Sequence, residues 1–382
     1  MITKEAGMFR KETILKRDSF VLESDKVKIC VTEKGGNMWP AIYDNDLKDG
    51  FNPYFISPWQ YEDFPMDGSY MDTMRGDFFC LPFGKAPKGA PFHGETCAYP
   101  WTLEGVTEED GVHTLSLSMD VTVPEAHVVK NLSIHDGENA IYVQHRISGL
   151  NGSYNFAHHV TMDTNMGRQA YISMSPLHLS YTHANGGGIF TPHEHGYPWV
   201  NDIQKVGDDR MVTTIWKDPD KVDVSHVPVV DKFTGHVFNF HKDLGVPAWT
   251  CFWFPGENYV FFDLKDPQVC QGTMFWMEGG GRYQHPWNGR VSATGCEDFA
   301  LIPGNQDPKA EAWIREIPEI KFTEPFEADK TYVINQVQGA VKVPENFGKV
   351  KTIDFGDGEL TITGESGLSV TAPVDWKHIY TK

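Results

Sequence analysis

A chain of 382 residues with 40% hydrophobic and 22% charged side chains has the make-up of a globular protein and the length to bury a large core. Its formal net charge of −19, with no basic run, would repel phosphate backbones and anionic lipid, which argues against nucleic acid and membranes as partners. What remains is a neutral small molecule, and the 11 Trp, 14 Tyr and 24 Phe can both fill a core and offer flat apolar faces to one.

The opening segment MITKEAGMFRKETILKRDSF has no apolar stretch of signal-peptide length, and no window approaches a membrane span. Cys30, Cys80, Cys97, Cys251, Cys270 and Cys296 form no CxxC pair and sit mostly in apolar runs, the pattern of free thiols in a reducing compartment. A soluble, cytoplasmic protein is expected.

Taken in order, the chain alternates with period two from end to end. Val27, Ile29 and Val31 alternate with Lys28, Cys30 and Thr32. An irregular stretch over 45–100, rich in Pro, Gly and aromatics, follows. Over 114–123, Leu115, Leu117, Met119, Val121 and Val123 face one way and polar residues the other, which predicts a half-buried strand. Further strands are predicted at 140–148, 155–163, 211–216, 236–241, 258–264 and 331–337, the one at 155–163 pairing antiparallel with its predecessor. A second long irregular region spans 183–209. One helix is signalled, 307–317, with Asp307 as cap, Pro308 at its first position and Ala310, Trp313, Ile314 and Ile317 on one face. A closing hairpin joins 359–363 to 367–371 through Gly364-Glu365-Ser366-Gly367. So many strands beside one helix predict an all-β fold, a large antiparallel β-sandwich forming a single domain over 1–382.

Three stretches carry residues suited to chemistry. In 75–101, Arg75 precedes Leu81-Pro82-Phe83-Gly84, and His93-Gly94-Glu95 follows a glycine-rich connection. In 155–163, the adjacent His158 and His159 must point to opposite faces of a strand, so at most one serves a given pocket. In 282–299, Glu297 sits among small and apolar neighbours, where a carboxylate is either ion-paired or tuned as a base. Trp276 and Trp287 could flank a sugar ring or simply fill the core.

The ordered set Arg75, LPFG, His93-Gly94, His159, Asp231 (in VVDKFTG), Trp276 and Glu297 resembles the galactose mutarotase-like superfamily, in particular the aldose 1-epimerases. The separations from His93 to His159, Asp231 and Glu297 are even: 66, then 72, then 66 residues. Two departures mark a divergent branch whose sugar need not be galactose or glucose. Two histidines precede Val-Thr-Met where the family usually has one before Thr-Tyr-Phe, and Glu-Asp stands for the usual Glu-Pro. The choice between His158 and His159 stays open.

The resemblance implies an isomerase that interconverts the anomers of a free sugar with no cofactor and no metal. Glu297 would be the base and His159 the acid, with His93 assisting. Arg75, Asp231, His158, Trp276 and Trp287 would contact the substrate. Carboxylate and imidazolium are each expected to hold the needed form near neutral pH with modest tuning. A monomer or homodimer is expected. One alternative is a carbohydrate-binding or sensing protein of the same fold without turnover. Another is a metal-dependent cupin-like enzyme, in which His193 and His195 of TPHEHGY would pair as ligands with Glu194 or His183 nearby.

Overall fold

The computed structural model describes residues 9–63, 66, 68–87, 89–182, 203–213, 221–229, 233–300, 308–322 and 325–382. Two large antiparallel sheets lie at its centre. The nine-stranded sheet runs, edge to edge, through His226–Val227, Ala170–Met174, Ala248–Phe254, Tyr259–Lys265, Thr331–Lys342, Ala140–Ser148, Glu125–His135, Val112–Thr122 and Thr102–Glu109. The six-stranded sheet runs through Leu177–Thr182, Phe233–His241, Gly272–Gly279, Ser292–Phe299, Ala157–Asp163 and Phe79–Cys80.

Local sequence explains the clearest elements. In Val112–Thr122, Leu115, Leu117, Met119 and Val121 are buried while Asp120 and Thr122 are exposed, as a strand covered on one face requires. Asp110 and Gly111, both at positive φ (49° and 79°), turn the chain from Thr102–Glu109 into that strand as a tight hairpin. The C-terminal hairpin forms as expected, Glu359–Gly364 pairing with Ser369–Pro373. The helix is Pro308–Arg315, with Ala310 and Ile314 buried; Asp307 lies outside the described residues, as do 214–216 of the strand expected at 211–216.

One pairing expectation is corrected. Ala157–Asp163 does not pair with Ala140–Ser148; it crosses to the other sheet, between Ser292–Phe299 and Phe79–Cys80. Gly149 and Gly152, at φ 77° and 112°, lie in the connection that makes the change.

Apolar side chains divide among three packing zones. Between the two sheets, Leu115, Val143, Phe252 and Phe261 of one meet Val160, Val237, Phe275 and Cys296 of the other. Beyond the nine-stranded sheet, Tyr142, Val260, Phe262 and Leu264 pack against Leu360 and Ile362 of a C-terminal three-stranded sheet. Tyr259–Lys265 is therefore buried on both faces, which accounts for the apolar run Tyr259–Phe262 that opens it. The outer face of the six-stranded sheet packs against Phe55, Trp59, Met74, Phe78 and Cys97 of the irregular stretch. Among the described residues no helix is long and apolar enough to cross a membrane.

Candidate active site

Strand register decides which side chains meet. His159 lies opposite Glu297, and His158 opposite Asp298, across the antiparallel pair. Directly opposed residues share a face and neighbours alternate, so His159 and Glu297 emerge on the outer face and His158 and Asp298 point into the sandwich. His159 Nε2 stands 3.3 Å from Glu297 Oε1. The imidazole is fixed from both sides: Nδ1 lies 3.2 Å from Thr161 Oγ1, and the Phe78 ring stacks on it with centroids 4.2 Å apart.

His93 arrives from the loop above, its ring edge-on to that of His159 at 5.1 Å. The LPFG and His-Gly motifs are stitched together to place it. Leu81 bridges Gly94, and the His93 N–H donates to the Gly84 carbonyl at 2.8 Å. The Gly84 N–H in turn donates to His93 Nδ1 at 3.1 Å, so the proton of the neutral ring sits on Nε2. Gly94 has φ 86°, and a Cβ there would lie 1.9 Å from the Leu81 carbonyl oxygen; no other residue fits.

Burial dominates the electrostatics. His93, His159 and Glu297 are 6%, 3% and 1% exposed. Desolvation holds His93 well below the usual imidazole range, brings His159 down to about 3 and pushes Glu297 well above the usual carboxylate range. The expectation of a ready carboxylate and imidazolium with modest tuning is thus corrected. Burial thus favours the uncharged form of each group, a protonated Glu297 carboxyl beside a neutral His159 imidazole.

Other expected site residues fall elsewhere. Arg75 does not join the cluster: its guanidinium donates to Gln60 Oε1 at 2.7 Å and to the Ile14 carbonyl at 3.3 Å, and it lies over the Trp39 ring. Burial without a carboxylate partner brings it down to about 10. His158 faces the interior, packed against Phe79 and His145, so it cannot touch a ligand on the outer face. Asp231 lies outside the described residues, as do His183, His193, Glu194 and His195 of the metal alternative. Elsewhere Asp263, Cys296 and Asp298 bring potential ligand atoms together, but the Lys265 ammonium occupies that place, 2.5 Å from Asp298 Oδ1.

Trp276 and Trp287 are buried beside the site, edge to face with centroids 5.6 Å apart. Trp276 lies opposite Gly295 on one side and His236 on the other, which puts His236 on the same face. Sequence reasoning missed His236, Glu278 and Arg282. Glu278 was findable, being two residues from Trp276 on the same strand; Arg282 reaches the site from a loop, which no periodicity announces.

No family model matches the sequence, and neither does any curated protein. Solved structures do resemble it. A candidate mutarotase from Salmonella typhimurium aligns with a TM-score of 0.58 at 12% identity, over 89% of this chain and 96% of its own. A candidate aldose 1-epimerase from Escherichia coli K12 gives 0.54 at 10% identity, over 85% and 99%. A galactose mutarotase related enzyme from Lactobacillus acidophilus gives 0.51 at 8%, over 85% and 98%. The chain therefore has the galactose mutarotase-like β-sandwich fold.

Proposed function

We propose that this chain is an aldose 1-epimerase-type isomerase that interconverts the anomers of a free sugar by acid–base catalysis. The observation that carries the reading is the His159–Glu297 pair, 3.3 Å apart and walled in by aromatic rings, with His93 next to it. The fold likeness supports it, since the neighbours named above are described as mutarotases or epimerases.

The pair can do the chemistry with the proton it already shares. Transfer of that proton from Glu297 to His159 yields a carboxylate and an imidazolium. The carboxylate then takes the anomeric hydroxyl proton as the imidazolium protonates the ring oxygen, and the ring C–O bond breaks to leave an open-chain aldehyde. Glu297 again holds a proton and His159 is again neutral. Rotation about C1–C2 and the reverse transfers close the ring on its other face, with no net gain or loss of protons. His93, with its proton on Nε2, is placed to donate to a sugar oxygen. Burial favours this scheme because both proton-transfer partners are held in place before substrate arrives.

The test is a panel of free sugars whose anomer exchange is followed by NMR, with wild type beside Glu297→Gln and His159→Asn. Each substitution should slow exchange by about 10²–10⁴-fold. The double variant should lose little more than either single one, because the two groups act on the same transfers. Sugar binding without exchange by the wild-type protein would instead identify a sugar-sensing relative of the same fold.

A further inference from the structure

Arg282 has no part in the scheme above, yet it is built into the site. Its guanidinium carbon lies 4.9 Å from the Trp276 ring centroid and 4.7 Å from that of Trp287. Its Nε is 3.2 Å from Glu278 Oε2, and its backbone N–H donates to Oε1 of the same carboxyl at 3.0 Å. Glu278 thus grips both the main chain and the side chain of Arg282 while two indoles enclose its charge. The side chain is 12% exposed. A cation so fixed cannot swing out to be solvated.

Trp276, over which the charge rests, borders Glu297. Trp276 and Glu297 flank Gly295 on one face, where a Cβ would meet Glu297 Oε1 at 2.5 Å and Trp276 Cβ at 3.2 Å. The tryptophan that carries Arg282 therefore starts beside the space that Glu297 fills. Titratable groups around Glu297 come from every element packed there: His159 from its strand, Cys80 from the neighbouring strand, and His93 and Tyr70 from the covering loops. His236 stands opposite Trp276 on the same face, and Glu278 is bound to Arg282 itself. Burial keeps the Cys80 thiol protonated and moves the Tyr70 phenol up to about 12, while His93 stays neutral. Among the described residues, Arg282 is then a permanent positive charge bearing on His93, His159 and Glu297 alike.

We propose that Arg282 is a positioning residue whose immobilised charge sets the range of pH over which the His159–Glu297 pair holds a single proton. The inference rests on the epimerase reading for its link to turnover. A positive charge disfavours every protonated form of the pair. Removing it lets the pair take a second proton at higher pH, and keep its last proton to higher pH as well. Both limbs of the activity profile would move the same way.

The experiment compares pH profiles of anomer exchange for wild type, Arg282→Gln and Glu278→Gln. Arg282→Gln should move both limbs up by about 1 pH unit, hence about tenfold in rate on the acid side. Glu278→Gln leaves the arginine charge uncompensated and should move both limbs down. Shifts of opposite sign are beyond what a merely structural pair of residues would give. Where Arg282→Gln does not fold, the Glu278→Gln profile still decides, and a profile superimposable on wild type overturns the inference. Glutamate carboxyl titrations by 13C NMR, with the Glu297 signal identified by its loss in Glu297→Gln, read the same protonation without turnover. A wild-type protein that exchanges no sugar would end the epimerase reading, while the NMR titrations would still show whether Arg282 governs the pair. Identical titrations in wild type and both variants would overturn the inference.

Discussion

Gly295 shows how little room the Glu297 carboxyl has. Its backbone needs no unusual φ, so alanine is tolerated locally; what a Cβ would strike is Glu297 Oε1, 2.5 Å away. Gly295→Ala should therefore fold and melt near wild type yet turn the carboxyl away from His159. A displacement on the order of 1 Å commonly costs about 10²-fold in rate. Unchanged turnover in a folded Gly295→Ala protein would mean that the His159–Glu297 contact is not used. At this scale His93, Glu297 and a histidine from the 158–159 pair were legible through the ordered motifs, while only the register opposite Glu297 shows that His159 is the one facing outward. Arg75 was misread: a guanidinium near a motif gives no hint that its partners are Gln60 and the Ile14 carbonyl, from segments remote in sequence. Arg282 was missed because its place beside the site depends on a loop folding back over Trp276.

The strand that offers Glu297 outward turns Asp298 inward, and there it anchors the two sheets together. Asp298 Oδ1 accepts from Lys265 Nζ and from Thr273 Oγ1 at 2.6 Å, and Lys265 also donates to Thr250 Oγ1 at 3.0 Å. Gln336 donates to Asp263 Oδ2 and Asp298 Oδ2 at 2.7 and 3.1 Å. All of these charges lie within the core. Such a network adds little net stability, but breaking it strands a buried charge. Lys265→Met should cost about 3–5 kcal/mol in denaturant unfolding, a loss well above that of a surface lysine. A change below about 1 kcal/mol would show that the network carries no charge. Individual strands were legible here because alternation is local. Their order was not: the six-stranded sheet draws on segments from Phe79 to Phe299, and the crossing of Ala157–Asp163 to it leaves no mark in the period.

For the molecule as a whole, burial of so many imidazoles makes a statement about acid. Besides His93 and His159, the interior holds His145 well below its usual range and His158 and His241 at about 3, all by desolvation. A histidine lowered in the folded state binds more protons when unfolded. Its contribution is thus intact above about 6.5 and lost as pH falls from there toward 3. Asp77, raised to about 6, and Asp263 and Glu297, raised above their usual values, work the other way between about 4 and their folded values. Among the described residues seven imidazoles are lowered, His178 and His378 included, against five raised carboxyls, Asp266 and Glu278 included, so the melting temperature should fall from pH 7 to pH 5. A flat profile over that interval would mean that these imidazoles are protonated or solvated in the folded protein. The all-β architecture behind this burial was foreseeable from alternation and the near-absence of helix signals. The three-stranded C-terminal cover was legible only in part: its hairpin shows in the sequence, its seat on Tyr142, Val260 and Phe262 does not.

The central claim is that one proton, passed between Glu297 and His159, opens and recloses a sugar ring. Its most direct test is the anomer exchange rate of Glu297→Gln measured beside its melting temperature. Glutamine keeps the shape of the side chain and abolishes its proton transfer. The account expects a protein that melts near wild type, still binds sugar, and exchanges anomers about 10²–10⁴-fold more slowly. A folded Glu297→Gln protein that exchanges anomers at the wild-type rate would contradict it.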